Sequence, residues 1–284
     1  IQITDRGNIK AENIVFACHF PFVNFPGFYF LKLNQERSYV VSSKWTKSLN
    51  GMYIDAEGGL SLRTYKNNII VGGGAHRTGK TDGHNSFELL VKKARKYFPD
   101  FSVENDWSAQ DCVSLDGIPY IGRLVSTNPN VFVATGFNKW GMTSAMVSAN
   151  MISDMICGNN GYENSIFSPA RFSIFASVNT IFQNAAETIC GFSKHLCYTN
   201  LQANDIKRDT AGIIHYNGMK CGAYRCKAGR LYIVSLKCPH LKCRLNWNHT
   251  TKTWDCPCHG SRYDYMGNLL DNPAQKNSIL IAKI

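Results

Sequence analysis

The chain has 284 residues, of which 44% are hydrophobic and 18% charged, with a formal net charge of +11; this is ordinary globular composition, with length enough for two domains. The basic residues are scattered and their densest run is only Lys92-Lys93-Ala94-Arg95-Lys96, so a nucleic-acid partner is not indicated, and the excess reads as solvated surface or as a docking face for an acidic partner. No stretch reaches 18 uninterrupted apolar residues, which argues against a transmembrane helix.

In chain order, a polar turn at Asp5-Arg6-Gly7 precedes a strand over 13–17. β-Branched and aromatic runs then predict strands over 28–33, 38–42, 52–54, 60–65 and 69–71, punctuated by Asn50-Gly51, Gly58-Gly59 and Asn67-Asn68, as in a mostly antiparallel sheet. Gly72-Gly73-Gly74 lacks the spacing of a phosphate loop and reads as a tight turn beside a ligand. Phe87, Leu90, Val91, Ala94, Tyr97 and Phe98 recur three and four apart, with Asn85 as N-cap, Glu88 three residues on and Pro99 closing, which predicts an amphipathic helix.

An apolar strand over 131–134 runs into Gly136 and Gly141, and a helix follows with Met142, Ala145, Met146, Ala149 and Ile152 on one face. Strand, glycine turn and helix N-terminus in that order offer backbone N–H groups to an anion or a polar ring edge. After a break over 158–172, a second helix is predicted over 172–192, with Ile174, Phe175, Val178, Ile181, Phe182, Ala185 and Ile189 on one stripe. Polar residues 199–211 read as a linker, and short strands over 213–216, 222–226, 231–236 and 279–281 predict an all-β end.

Eleven cysteines are many, but they are not spaced like a secreted disulfide framework. Cys18, Cys112, Cys157, Cys190 and Cys197 read as buried small hydrophobes, and Cys221 and Cys226 lie on predicted strands where a further disulfide is conceivable. The informative cysteines lie between 238 and 261, where Cys-Pro-His-Leu-Lys-Cys is followed, after a polar interval, by Cys-Pro-Cys-His-Gly-Ser. Cys238 with His240 and Cys256 with His259 are two pairs of metal-ligand type on two loops. Two cysteines and two histidines suit tetrahedral zinc and equally a [2Fe-2S] centre with histidines on one iron. Cys243 and Cys258 are surplus to either ligand set, one per loop, and a disulfide between them would staple the loops, which a zinc finger does not need.

These residues resemble the Rieske signature of the cytochrome bc complexes and of Rieske ferredoxin-like domains. The resemblance implies that Cys238 and Cys256 bind one iron and His240 and His259 the other. It also implies that Ser261 donates to a bridging sulfide and Tyr263 to a ligand sulfur, both of which favour the reduced cluster. The family usually has glycine where Lys242 stands, so the first loop is expected to be strained there or to carry an exposed charge.

A second resemblance is carried by Asp-Gly-Ile-Pro-Tyr-Ile-Gly from Asp116 and by Ala-Thr-Gly-Phe-Asn-Lys-Trp-Gly-Met-Thr ending at Thr143. Both segments are similar to the C-terminal half of FAD-dependent oxidoreductases of the D-amino-acid oxidase and glycine oxidase superfamily. The resemblance implies that Asp116, Gly117 and Pro119 pack near the flavin, and that Gly136, Phe137, Asn138, Trp140, Gly141, Met142 and Thr143 line the isoalloxazine or its ribityl chain. Such domains carry a G-x-G-x-x-G near the N-terminus, and none occurs here; the chain also opens at Ile1. An N-terminally truncated fragment is therefore expected, lacking most of the ADP-binding half.

Together the resemblances imply an α+β chain: 1–170 the C-terminal half of a flavin domain, 171–198 a connecting helix and 199–284 an all-β Rieske domain. The expected cofactors are FAD and a Rieske [2Fe-2S] cluster, and the expected activity is oxidation of an amino acid or amine at a C–N bond. Electrons would leave through the cluster to a redox partner, in a bacterial, cytoplasmic setting without a membrane span. Arg63 is a candidate clamp for a substrate carboxylate, and His76 and Arg77 are further substrate-site candidates. The competing reading is a non-catalytic Rieske electron carrier whose degenerate flavin domain only positions the cluster module.

Overall fold

The computed structural model describes residues 2–4, 7–23, 25–57, 59–80, 85–159, 161–162, 165–171 and 201–284. Two compact units emerge, one of Ile1–Asn34 with Asp111–Gln183, the other of Gln35–Gln110 with Asn184–Ile284. The predicted helix over 172–192, Cys190 and Cys197 lie outside the described residues, as do Asp5 and Arg6 of the predicted first turn.

The elements begin with β1 (Gln2–Thr4), β2 (Gly7–Asn8), β3 (Ile14–Phe16), α1 (Tyr29–Lys32), β4 (Leu33–Lys44), β5 (Tyr53–Ile54), β6 (Ser61–Tyr65) and β7 (Asn68–Arg77). Next come α2 (Ser86–Tyr97), β8 (Asn105–Ser114), β9 (Tyr120–Arg123), β10 (Val131–Thr135) and α3 (Gly141–Ile156). The C-terminal strands are β11 (Thr210–Tyr216), β12 (Met219–Arg225), β13 (Leu231–Ser235), β14 (Asn246–Asn248), β15 (Thr253–Asp255), β16 (Arg262–Asp264), β17 (Leu269–Asp271) and β18 (Leu280–Lys283). The fold is α+β, and no helix among the described residues is long and apolar enough to cross a membrane.

In the first unit β10 pairs parallel with β3 and antiparallel with β9, and α3 packs on this sheet through Met151 and Ile152 against Ile121, Phe132 and Ala134. The face predicted for α3 is corrected: Ser144, Ser148, Met151 and Ile152 are buried, whereas Met142 is 87% and Met146 66% exposed. Serine at the contact lets the helix approach the strands closely, and Ser148 satisfies its hydroxyl on the Ser144 carbonyl at 2.6 Å. The predicted strand over 28–33 is also corrected, because its first part is the single turn α1. Phe28 adopts a left-handed backbone (φ 52), and Tyr29 is fully buried with its hydroxyl donating to the Leu124 carbonyl at 3.1 Å. Tertiary packing overrides the strand preference of the aromatic run.

The second unit contains a five-stranded sheet in the order β5-β6-β7-β4-β8. One face buries Tyr39, Val41, Leu60, Ile69 and Val71 beneath Leu90 and Ala94 of α2, with Phe98 and Phe101. Asn85 caps α2 by accepting from the Phe87 N–H at 3.1 Å, and its side chain also meets Glu88 at 2.9 Å; Tyr97 of the predicted apolar stripe is exposed. Gly72-Gly73-Gly74 is not a turn: all three lie inside β7. A Cβ at Gly72 would meet Ser61 Oγ at 2.6 Å and one at Gly73 would meet Leu60 Cδ2 at 2.9 Å, so β7 runs glycine-thin against its neighbours. Gly74 (φ 66) falls where the β4 register shifts between Arg37 and Tyr39, a bulge that re-aims the side chains beyond it.

The same unit holds two four-stranded antiparallel sheets, β11-β12-β13-β18 and β14-β15-β16-β17. Val234, Leu236, Leu245, Trp254 and Tyr263 form the core around the cysteine loops. The predicted linker over 199–211 is partly built into this fold. Arg225 donates to the carbonyls of Ala203 (2.8 Å) and Ile206 (2.7 Å), and the Ile206 side chain is buried. Other cysteine expectations change: Cys157 is exposed at the end of α3, Cys18 is half-buried, and Cys221 and Cys226 are free thiols.

Candidate cluster site and flavin surface

Two loops, after β13 and after β15, bring the sequence-predicted ligands together. In the first, the Cys238 N–H donates to the Cys243 carbonyl at 2.9 Å and the Lys242 N–H to the Cys238 carbonyl at 2.8 Å. Lys242 closes this turn with a left-handed backbone (φ 63), a conformation that costs a side-chain-bearing residue what it spares a glycine. In the second, the Cys256 N–H reaches the Ser261 carbonyl at 2.8 Å and the Gly260 N–H the Cys256 carbonyl at 2.9 Å, with Gly260 at φ 84. Cys243 and Cys258 are disulfide-bonded across the loops, and the Cys256 sulfur lies within 4.8 Å of both of theirs.

The electrostatics suit thiolate and neutral imidazole ligands. A hydrogen bond from Cys256, assisted by Tyr263 and Ser261, draws the Cys238 thiol down to about 6 against the opposing effect of burial. The bond to Cys238, together with complete burial, pushes Cys256 well up, so one thiolate is shared by the pair. Tyr263 is raised by burial and by the Cys238 charge; it therefore stays protonated, 3.5 Å from the Cys238 sulfur, as a donor. Burial lowers His240 to about 4, keeping its ring neutral, the state a metal ligand requires. The His240 and His259 rings stand nearly perpendicular with centroids 4.9 Å apart. Their Nδ1 atoms are buried and take no hydrogen bond, although each ring is engaged elsewhere. His259 is 3% exposed and His240 only half-buried. Fully buried Ser261 accepts from the Ala274 N–H at 2.9 Å, which aims its hydroxyl group into the site. Two thiols, two imidazoles and hydroxyl donors at the sulfur fit a [2Fe-2S] cluster.

The flavin-type residues form a surface in the first unit. Gly117, Pro119, Phe137, Asn138, Trp140, Thr143 and neighbours line a cavity of about 250 Å³. Gly117 (φ 74) and Gly141 have open space where a Cβ would stand, Trp140 and Met142 are exposed, and α3 begins without a side-chain cap. Its first N–H groups are thus offered outward. This open cradle fits a polar ring edge. Two residues of the set are occupied internally: Asn138 accepts from the Ser114 N–H (2.9 Å) and donates to the Gly136 carbonyl (2.7 Å), fixing the turn. Asp116 receives both arms of Arg171 at 2.9 Å, and Arg171 stacks 3.9 Å over Tyr120.

Burial works against the charged Asp116 carboxylate, but the Arg171 hydrogen bonds and the Ile118 N–H outweigh it and hold the carboxyl below its usual range. A depressed folded value means the pair stabilises fully above the ordinary carboxylate range and loses its effect as pH falls through the folded value. Asp116→Asn is therefore expected to cost about 1–3 kcal/mol at neutral pH, with the difference from the parent vanishing in acid; urea titrations across pH measure it.

Of the substrate-site candidates, Arg63 is exposed on β6 opposite Ile70. His76 stacks on Tyr39 (5.5 Å, 18°) with Nδ1 3.4 Å from the Gly74 carbonyl. Arg77 is engaged elsewhere: its Nη2 donates to the Cys258 carbonyl at 3.0 Å and its Nε to the Pro257 carbonyl at 3.3 Å. Gln110 adds a bond to the Gly260 carbonyl at 3.1 Å. Nothing in the spacing of Arg77 or Gln110 signals this role, because the partners lie 181 and 150 residues away.

Comparison with known proteins agrees with both halves. Residues 2–155 match the family described as FAD dependent oxidoreductase, and residues 197–283 match the Rieske [2Fe-2S] domain. The iron-sulfur protein YhfW of Bacillus subtilis (strain 168), named for a Rieske 2Fe-2S centre, is 35% identical over 283 residues, 95% of this chain and 55% of that protein. The chain thus spans about half the length of this curated relative. The cytochrome b6-f complex iron-sulfur subunit 1 of Nostoc sp. (strain PCC 7120) is 41% identical over 49 residues, 17% of this chain and 27% of its own. L-proline dehydrogenase from P. horikoshii shares its fold with part of this chain at a TM-score of 0.51 and 20% identity, covering 59% of this chain and 49% of its own. FAD and a [2Fe-2S] cluster are the cofactors of these two domain types. On its sequence match and its loops, the chain belongs to the FAD-dependent oxidoreductase family and carries a C-terminal Rieske [2Fe-2S] domain.

Proposed function

We propose that this oxidoreductase removes electrons from the C–N bond of a small amino acid or amine and passes them through its cluster to a redox partner. In this reading Cys238 and Cys256 hold one iron and His240 and His259 the other, with Tyr263 and Ser261 donating to sulfur. Bound flavin supplies two-electron chemistry and the cluster one-electron chemistry. The observation that carries the reading is the joining, in one compact unit, of the cluster loops to the strands that bear the substrate-site candidates, through Arg77 and Gln110.

The chain's own residues divide the work. The α3 N-terminus and the two turns fixed by Asn138 and by Asp116 would present backbone donors to the flavin edge. Arg63 is the candidate carboxylate clamp, since the Arg77 guanidinium is committed to loop carbonyls. His240, the half-buried histidine, marks the side from which electrons leave to the acceptor.

A visible spectrum tests the proposal. In cofactor-loaded protein, bleaching of flavin by a member of a glycine, sarcosine and D-amino-acid panel, followed by reduction of the cluster bands, is the expected result. Cluster bands without flavin, unresponsive to every amine, would leave the non-catalytic carrier as the better reading.

A further inference from the structure

The end of the five-stranded sheet grips the second cluster loop. Arg77, the last residue of β7, spans the successive carbonyls of Pro257 and Cys258. Gln110 of β8 donates from one amide nitrogen to Gly260 at 3.1 Å and to the Gln35 side-chain oxygen. Thr78 donates to the Gln110 oxygen at 3.0 Å, and Gln35 of β4 spends its own amide on the Asn272 carbonyl at 2.7 Å. From the loop side, Asn246 returns a bond to the Gly79 carbonyl at 2.8 Å. The backbones meet without room for side chains. A Cβ on Gly79 would stand 2.5 Å from the Pro257 nitrogen, and one on Gly260 2.6 Å from the Gln35 Cβ. Carbonyls 257, 258 and 260, which flank Cys256 and His259, are thus held from outside the loop.

We propose that Arg77, seconded by Gln110 and Gln35, is a positioning residue for the cluster: it fixes the second loop to the sheet, and its charge eases the cluster's reduction. Reduction adds one negative charge to the cluster, and a guanidinium held at the loop backbone favours that state, more so in a partly desolvated setting. Tethering three carbonyls from two strands also holds the backbone on either side of His259 in place. The inference rests on the cluster reading alone and is independent of flavin and of any C–N substrate.

Arg77→Gln and Arg77→Lys in the cluster-loaded chain separate the two effects. The midpoint potential is followed by EPR during a dithionite titration, hydrogen exchange is read at amides 256–261, and modification of His259 by diethyl pyrocarbonate is read by peptide mass. Arg77→Gln is expected to lower the reduced-to-oxidised ratio at fixed poise about tenfold, or about 59 mV for one electron. It also speeds loop exchange about tenfold, as expected for loss of a charged hydrogen bond, and opens His259 to modification. Arg77→Lys keeps the charge and loses the two-pronged grip, so the potential stays near the parent while exchange rises. A loaded Arg77→Gln chain with parental potential and parental loop exchange would overturn the proposal, even if its global stability fell. Should Arg77→Gln not load, Gln110→Leu serves: faster exchange at 260–261 with shifted g-values supports the clamp, and parental values at both refute it.

Discussion

Arg262→Met is expected to cost about 3–5 kcal/mol, a large share of the about 5–15 kcal/mol available to a domain. Arg262, 4% exposed, donates to Asp255 at 3.1 Å and to Asp271 at 2.7 Å, and reaches the hydroxyls of Thr251 and Thr253 at 3.1 and 3.2 Å. Once Arg262 is gone, Asp255, 1% exposed, keeps among the described residues one hydrogen-bond donor, the Asn248 amide at 3.0 Å, with Arg37 acting on it only as a longer-range charge. A buried carboxylate with one neutral donor carries most of its desolvation cost uncompensated. Because Asp255, Arg262 and Asp271 lie on β15, β16 and β17, the loss falls on the sheet from which the second cluster loop springs. Removing both charges in Arg262→Met with Asp255→Asn is expected to recover most of it, since a neutral pair of similar volume avoids the desolvation. Denaturation of the two single variants and the double variant gives the coupling; a single variant as stable as the parent would show the pair to be dispensable.

His259→Ala and Cys256→Ser are each expected to abolish the cluster: iron and acid-labile sulfide fall to background, and the visible bands and EPR signal go with them. Each removes one of the four proposed ligands, both buried beside the Cys243–Cys258 disulfide, where water cannot substitute well for a lost donor. Tyr263→Phe, by contrast, removes a donor to sulfur without a ligand, and the cluster should load at a lower potential. Stoichiometric zinc in the purified parent, with no iron or sulfide, would remove the cluster reading altogether.

How much of this was legible beforehand follows the range of the interactions. Local signals read well: Asn85 and Glu88 announce the start of α2, and the apolar run at 131–134 is β10. Long-range contacts decided the rest. The aromatic run at 28–33 reads as a strand by propensity and becomes α1 because Tyr29 is anchored at Leu124. The glycine triplet reads as a turn because glycine is flexible, yet Leu60 and Ser61, at the start of the adjacent strand β6, require its smallness in β7. The small serines of α3, invisible to a search for apolar stripes, are buried along with Met151 and Ile152. For the candidate site, two short loops announced themselves through cysteine and histidine spacing. Arg77 and Gln110 carry no spacing signal, since their partners are more than a hundred residues away.

The close approach at Gly79 and Gly260 bears on how far the C-terminal part is portable. By sequence, residues 197–283 look like a cassette that could be lifted into another protein, but the surface around Pro257 and Gly260 is completed by atoms from residues 35–79. A chimera assembled at the sequence boundary would leave that seam facing solvent, with loop carbonyls hydrated instead of clamped. To move the redox properties along with the cluster, the transplant has to include the sheet end that bears Gln35, Arg77, Gly79 and Gln110.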